Sequence, residues 1–436
     1  MCGFRVVILG AGPGGLFTAH ALAAANIDFI VLEKQPEIVR YRGALFVAWP
    51  PLVRLMDQLG LYKQFMELST PITTKTHFTT SGEPLCSARV FGDIGDELGY
   101  PSLGISRGDF IRILYKNLPD HETKIKENAN AVKIETDKDG VHVHLADGTV
   151  VDGSIVIAAD GVHSPARQLI EGLTKPENMT PGSPMVPGYL SLFGHTRSVP
   201  GGITPGDFAE SHGPGVASQS VRMNGAAYFT VLKRLDKYGV AEKQKFTSED
   251  MDKFAEEMAN ITVFPGVKLK EIWPLRDKPT AILTCQEEGI ANKWYYGRVV
   301  LVGDAAHKMT SVNGSGAMTA ALSAVVLVNN LRNTLQKNPN PSTEQLKGVF
   351  TKYVAMRMPA ASAMVDFGGL LTRFMTWTGT GAEARDRQES SSNNMLAQSK
   401  MRLLPPLSQS PILDFVPFES KYGPTRWVVE SPKVIS

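Results

Sequence analysis

The chain is poor in the residues that hold disulfide and metal sites. Its three cysteines, Cys2, Cys86 and Cys285, lie far apart and none forms a CxxC pair, which excludes a disulfide framework or a zinc motif and suits a reducing compartment. His163 and His307 have no second histidine or cysteine at metal-ligand spacing and are interpreted as structural hydrogen-bonding residues. We therefore expect no metal.

Long apolar runs and long runs of one charge are also missing. The longest apolar stretches, Ala317–Val328 and Ala361–Met375, are shorter than the ~20 residues that span a bilayer. The N-terminus passes directly into the strand-like Phe4–Leu9, without space for a cleavable leader. Because 45 Lys and Arg face 43 Asp and Glu with no basic run, nucleic acid is not expected as a partner. We expect a cytoplasmic protein with no transmembrane segment, and leave peripheral contact with a membrane open.

What the sequence does contain is a set of short apolar strands that end in glycine or aspartate. They are Val6–Leu9 before Gly10, Ile155–Ala159 before Asp160, and Val299–Val302 before Gly303. Such Val, Ile and Leu runs are typical of parallel strands covered on both faces. Leu16–Ala25 is predicted to be a helix and Phe29–Leu32 a strand, which completes a strand-helix-strand unit.

The pattern changes between about 173 and 290, where polar and apolar residues alternate. Tyr189–Phe193 and Ala227–Leu232 read as strands, and Asn224-Gly225 is a hairpin signal. The predicted fold class is α/β, with a Rossmann-like domain, an inserted sheet-rich substrate domain, and a helical and irregular C-terminal region. The boundaries are 1–172 and 290–358 for the first, 173–289 for the second and 359–436 for the third.

The C-terminal region opens on a capping-box sequence at Ser342. A helix is predicted from there to about Thr376, with a break or kink at Pro359. The polar stretch 380–400 is predicted to be a mobile loop, followed by an irregular Pro-rich tail.

Gly10-Ala11-Gly12-Pro13-Gly14-Gly15 places a GxGxxG pattern between a strand and a helix. Gly10 permits a tight turn, Gly12 lets a pyrophosphate approach, and Gly15 allows close packing of helix and strand. The helix N-terminus supplies N–H groups for the anion. Glu33, at the end of the next strand, can accept hydrogen bonds from ribose hydroxyls. This pattern predicts a dinucleotide site without distinguishing NAD from FAD.

Two later motifs and one helix start resemble a known family. They are Ala159–Arg167, Trp294–His307 and Ser106-Arg107-Gly108-Asp109. Together with the glycine motif they are similar to FAD-dependent monooxygenases of the para-hydroxybenzoate hydroxylase type, from the N-terminus to about residue 330. Short likenesses at 114–116, 228–235 and 304–310 are nearest to the fungal enzymes that epoxidise or hydroxylate prenylated indoles and meroterpenoids.

The resemblance implies that the Rossmann-like domain binds FAD. By it, Arg107 holds the phosphate and ribityl region, Asp304 accepts from the ribityl chain, and Asp160 fixes nearby backbone. The residues predicted to bind FAD are Gly10, Gly12, Gly14, Gly15, Glu33, Arg42, Arg107, Asp160, Asp304, Gly314 and Gly316.

The resemblance also implies a reaction. NADPH, as a transient co-substrate, reduces FAD; oxygen adds at flavin C4a; and the hydroperoxide epoxidises or hydroxylates a small apolar, prenylated or aromatic secondary metabolite. Since the cofactor carries this chemistry, no side chain is assigned as catalytic. Nothing in the sequence indicates an oligomeric state.

The loop after Asp304 departs from the family's pattern. Ser311, Ser315 and Met318 stand where the family has a proline, a glutamine between two glycines, and an asparagine. We expect these three positions to face the flavin ring, and loss of the proline to loosen the loop. Two alternatives therefore stay open: an FAD-containing protein that performs a redox-neutral cyclisation or rearrangement, and a non-catalytic FAD-stabilised binding protein.

Overall fold

The computed structural model describes residues 3–43, 45–174, 184–198, 204–239 and 245–432. Its strands are β1 Arg5–Leu9, β2 Asp28–Leu32, β3 Leu45–Ala48, β4 Thr70–Pro71, β5 Thr74–Thr79, β6 Pro84–Ala88, β7 Leu103–Ser106, β8 Ile125–Lys126, β9 Ala131–Thr136, β10 Val141–Leu145, β11 Val150–Gly153, β12 Ile155–Ala158, β13 Val186–Thr196, β14 Asp207–Gly213, β15 Val216–Met223, β16 Ala226–Arg234, β17 Thr262–Phe264, β18 Val267–Lys268, β19 Ile282–Ile290, β20 Tyr295–Tyr296, β21 Val299–Leu301 and β22 His307–Lys308.

The α-helices within the same ranges separate or follow these strands. They are α1 Pro13–Ala24, α2 Pro50–Gln58, α3 Tyr62–Leu68, α4 Val90–Leu98, α5 Arg107–Lys116, α6 His121–Lys124, α7 Pro165–Thr174, α8 Ser248–Glu257, α9 Leu269–Ile272, α10 Gly316–Leu335, α11 Thr343–Met375, α12 Ala382–Glu389 and α13 Ser392–Ser408. None of these described helices is long and apolar enough to cross a bilayer.

The Rossmann-like sheet has the strand order β20-β21-β12-β1-β2-β8. Strand β1 pairs in parallel with β12 and β2, and β12 pairs in parallel with β21, so the predicted parallel arrangement is confirmed. Their apolar side chains are almost fully buried, with α1 packed on β1 and β2 and α7 packed on β21. The three strands end side by side, and this brings Gly10, Asp160 and Gly303 to one edge.

A second sheet of eight strands has the order β22-β19-β13-β16-β15-β14-β5-β6. Strands β15 and β16 form the hairpin that was predicted at Asn224-Gly225. The sheet also takes β5 and β6, from residues 74–88, and β5 pairs in parallel with β14. The sheet-rich unit therefore draws on chain outside the predicted 173–289 segment.

The C-terminal region differs from the prediction in two places. Helix α11 is capped by Ser342 as expected but continues through Pro359 without interruption. The predicted mobile loop at 380–400 is wrong, because α12 and most of α13 occupy it. Ser391 caps α13, and Asp386 on α12 is fully buried beside His212, so tertiary contacts override the polar composition.

The irregular tail after α13 is fastened to the first domain by Arg54. This arginine of α2 is 1% exposed, and its guanidinium donates to Ser420 Oγ and to the Val429 carbonyl at 3.0 and 2.8 Å. It also lies 4.5 Å from the centre of the Trp427 ring. Burial lowers the pKa of Arg54 to about 10, so the guanidinium stays charged at neutral pH.

We predict that Arg54→Met detaches the tail and lowers the free energy of unfolding by about 2–4 kcal/mol, since two charge-assisted hydrogen bonds and a cation–π contact are lost. Thermal unfolding and limited proteolysis measure this. Arg387→Met, which removes an exposed arginine on α12, is the matched control. Equal melting temperatures for both variants would contradict the role of Arg54.

Candidate active site

The N-terminus of α1 opens into a cavity of about 760 Å³. Gly12 and Gly14 line this cavity, while Gly10 and Gly15 form the turn behind them. A Cβ on Gly15 would lie 1.9 Å from the Gly10 carbonyl oxygen, whereas a Cβ on Gly12 would meet nothing within 4 Å. Gly15 therefore serves the packing of helix against turn, and the open space before Gly12 is the cradle that a pyrophosphate requires.

Arginines surround this cradle. Arg40, Arg42 and Arg107 line the cavity, and no carboxylate among the described residues forms an ion pair with Arg107. Burial, with the charge of Arg40 nearby, lowers the pKa of Arg107. The Nε of Arg40 is buried without a hydrogen-bond partner among those residues. Arginines gathered without a contacting carboxylate fit the phosphates of FAD. Arg40 was not among the residues predicted from the sequence, although it stands two residues before the predicted Arg42.

The predicted acidic residues occupy different positions around the cavity. Asp304 lines it and forms an ion pair with Lys308 at 3.1 Å. Glu33 accepts from the Ala11 and Gln35 backbone N–H groups at 2.8 and 3.0 Å, so it also braces the glycine turn. Asp160 lies outside the lining and accepts from the Ala166 N–H at 3.3 Å, at the start of α7.

The loop after Asp304 is held by the eight-stranded sheet. The Ser311 N–H donates to Gln286 Oε1 at 3.0 Å, and Gln219 Nε2 donates to the Val312 carbonyl at 2.8 Å. Asn313 is buried, and its carbonyl accepts from Trp49 Nε1 at 3.1 Å. Side-chain hydrogen bonds therefore hold this loop where the family has a proline.

Only one of the three departing positions faces the cavity. Ser311 lines it, as do Gly314 and Gly316. Ser315 and Met318 are buried behind the loop, where Ser315 Oγ contacts Met309 Sδ at 3.2 Å, so the prediction that they face the flavin ring is wrong. Gly314 has φ +62°, and this left-handed turn into α10 sends the next side chain away from the cavity.

The remaining wall of the cavity is mostly aromatic and aliphatic. Among the side chains there are Phe46, Phe91, Phe193, Phe208 and Leu371. Polar residues interrupt this wall, and Lys75, His77 and Glu210 form one group of them. The same cavity thus joins a phosphate-binding end to an apolar space large enough for a small molecule.

Comparison with known proteins is consistent with this geometry. The family model described as "FAD binding domain" matches residues 4–368. The chain belongs to this family. The FAD-dependent monooxygenase srdH of Neurospora crassa is 36% identical over 440 residues, which cover 97% of this chain and 98% of that protein. The chain is an FAD-dependent monooxygenase, an oxidoreductase that binds FAD.

Solved structures show the same fold. Klebsiella pneumoniae HpxO, complexed with FAD and uric acid, has a TM-score of 0.75 at 22% identity, and the match covers 92% of this chain and 97% of HpxO. The Diels-Alderase PyrE3 of pyrroindomycin biosynthesis has a TM-score of 0.68 at 19% identity, with coverage of 91% and 80%. This fold therefore occurs with different chemistry.

We predict that Gly12→Val abolishes FAD binding without unfolding the apoprotein, because its side chain would enter the cradle and its Cβ would have no protein atom within 4 Å. Flavin retained after purification and the melting temperature of the apoprotein measure the two effects. Gly348→Val, on α11 and also without close neighbours, is the control and should keep its FAD. Normal flavin content in Gly12→Val would show that the pyrophosphate lies elsewhere.

Proposed function

We propose that this monooxygenase uses NADPH and one molecule of oxygen to epoxidise or hydroxylate an apolar, prenylated or aromatic secondary metabolite. The observation that supports this best is the continuity of the cavity from the α1 cradle to the aromatic wall. An apolar substrate there would displace water and lie against the cofactor. One oxygen atom enters the product, and the other leaves as water with the two electrons from NADPH.

The roles of the protein side chains follow from their positions. FAD, when bound, supplies oxygen activation and electron transfer. Arg40, Arg42 and Arg107 would hold its phosphates, and Asp304 would accept from its ribityl chain. The loop 311–314 and the N-terminus of α10 would stabilise negative charge at the ring through backbone N–H groups. The phenylalanines would exclude water and orient the substrate.

Substrate-dependent NADPH oxidation under air tests the proposal, with the product analysed for ¹⁸O after reaction under ¹⁸O₂. One ¹⁸O atom per product molecule is expected. A redox-neutral cyclisation or rearrangement is the second candidate, and the fold shared with PyrE3 is what favours it. Product formed at full rate by anaerobic protein without NADPH would contradict oxygenation and support that candidate.

The hydrogen bond between Gln286 and the loop after Asp304 also has a measurable consequence. We predict that Gln286→Leu, which removes the acceptor of the Ser311 N–H, lowers the yield of product per NADPH roughly fivefold, the equivalent of one lost hydrogen bond of about 1 kcal/mol. Hydrogen peroxide release should rise correspondingly. Gln168→Leu, at an exposed position on α7, is the control. An unchanged yield in Gln286→Leu would show that the loop needs no support from the sheet.

A further inference from the structure

A buried polar cluster interrupts the aromatic wall of the substrate cavity. Glu210 on β14 is 1% exposed, and its Oε2 lies 2.9 Å from Lys75 Nζ, 3.2 Å from His77 Nε2 and 3.5 Å from His212 Nε2. Its Oε1 accepts from Gln219 Nε2 at 2.8 Å. Burying this many polar groups in an apolar wall costs stability unless they serve a ligand or one another.

A second carboxylate completes the cluster from the C-terminal region. Asp386 Oδ2 accepts from His212 Nδ1 and from Trp377 Nε1, both at 2.8 Å. Burial alone would lower the pKa of His212, but the neighbouring carboxylates of Asp386 and Glu210 raise it. Burial alone would raise the pKa of Glu210, but Lys75 and the imidazoles of His77 and His212 hold it well below its usual range.

The charges of the cluster decide what it can bind. With His212 and Lys75 protonated, their charges balance those of Glu210 and Asp386, and the cluster is neutral. The atoms of His77, Glu210 and His212 also lie close enough to hold a metal ion. A divalent ion would have to displace the His212 proton and share Glu210 Oε2 with the Lys75 ammonium, which leaves a net positive charge in a buried site. The charge balance therefore favours a site that binds a neutral polar group.

Lys75 and His77 are two of the members of the cluster that line the cavity, together with Glu210, Gln219 and Asp386. The Lys75 side chain keeps 15% of its surface and lines the cavity, and the described residues take one of its three N–H donors. His77 lines the cavity too, and burial with the Lys75 charge lowers its pKa to about 4, so it is neutral. Its Nε2 lies 3.2 Å from Glu210 Oε2 without hydrogen-bond geometry, and a neutral imidazole has one donor and one acceptor nitrogen.

We propose that Lys75 and His77 form a hydroxyl-binding subsite, which recognises an alcohol group on the otherwise apolar substrate. Lys75 donates to the hydroxyl oxygen, and the unprotonated ring nitrogen of the neutral His77 accepts the hydroxyl hydrogen. Glu210 forms an ion pair with Lys75 and lies beside His77, and the His212–Asp386 pair lies next to Glu210. This assignment rests on the proposed function only in taking the cavity as the substrate site.

The test uses three probes of matched shape and the FAD-loaded protein: farnesol, farnesyl methyl ether and farnesene. Equilibrium dialysis below the micellar range should show farnesol binding roughly tenfold tighter than farnesene, with the ether, which can only accept, in between. Equal affinities for the three, or no binding of any, would overturn the subsite.

Lys75→Met should bring farnesol within about twofold of farnesene. Lys75→Met alone leaves the Glu210 carboxylate without its cation. The same measurement is therefore repeated on the double variant Lys75→Met/Glu210→Gln, in which both side chains are uncharged. Lys233→Met, which removes a surface lysine paired with Glu257, is the control and should keep the preference. A preference for farnesol that survives both Lys75 variants would contradict the subsite.

Zinc titration of the same holoprotein examines the competing interpretation. Stoichiometric Zn²⁺ binding that is lost in His212→Gln would establish a metal site and overturn the hydroxyl subsite. The dialysis needs neither NADPH nor oxygen. A protein that selects farnesol but never oxidises NADPH would therefore contradict the proposed function and leave the subsite intact.

Discussion

The structure depends on how closely two strand ends approach each other at the edge of the Rossmann-like sheet. A Cβ on Gly10 would lie 2.6 Å from the Ala159 carbonyl oxygen, and one on Gly15 would collide with Gly10 itself. Only glycine permits this contact. It brings the N-terminus of α1 beside the end of β12, next to the strand that leads to Asp304. The arginines, the loop 311–314 and the apolar cavity are all arranged around this edge.

The parts of the fold that sequence could predict are those encoded by neighbouring residues. Apolar runs ending in glycine identified the parallel strands, Asn224-Gly225 identified a hairpin, and Ser342 identified the start of α11. The GxGxxG pattern located the cradle because its spacing is itself the geometry of the turn. The composition of 380–400 was misleading, since helices α12 and α13 are stabilised by contacts with distant residues rather than by their own apolar periodicity.

The parts that could not be predicted arise from pairing between distant segments. His77 and Glu210 are direct partners in the parallel ladder of β5 with β14, and nothing in either strand alone indicates that register. His212 follows on the same face of β14, two residues along, and this alternation was the available signal. Ser315 and Met318 were misplaced for a different reason. The left-handed turn at Gly314 decides where the next side chains point, and family likeness does not report it.

The side chain of Gln219 links the two halves of the site. Its amide nitrogen donates to Glu210 Oε1 and to the Val312 carbonyl, both at 2.8 Å. One amide thus connects the polar cluster of the substrate wall to the loop beside the cofactor site. An amide has two N–H donors, so both bonds form at once and fix the distance between sheet and loop. A substrate group bound at Lys75 would therefore contact a cluster whose distance from the loop 311–314 is already set. In this way a cavity with mostly apolar walls can orient its ligand.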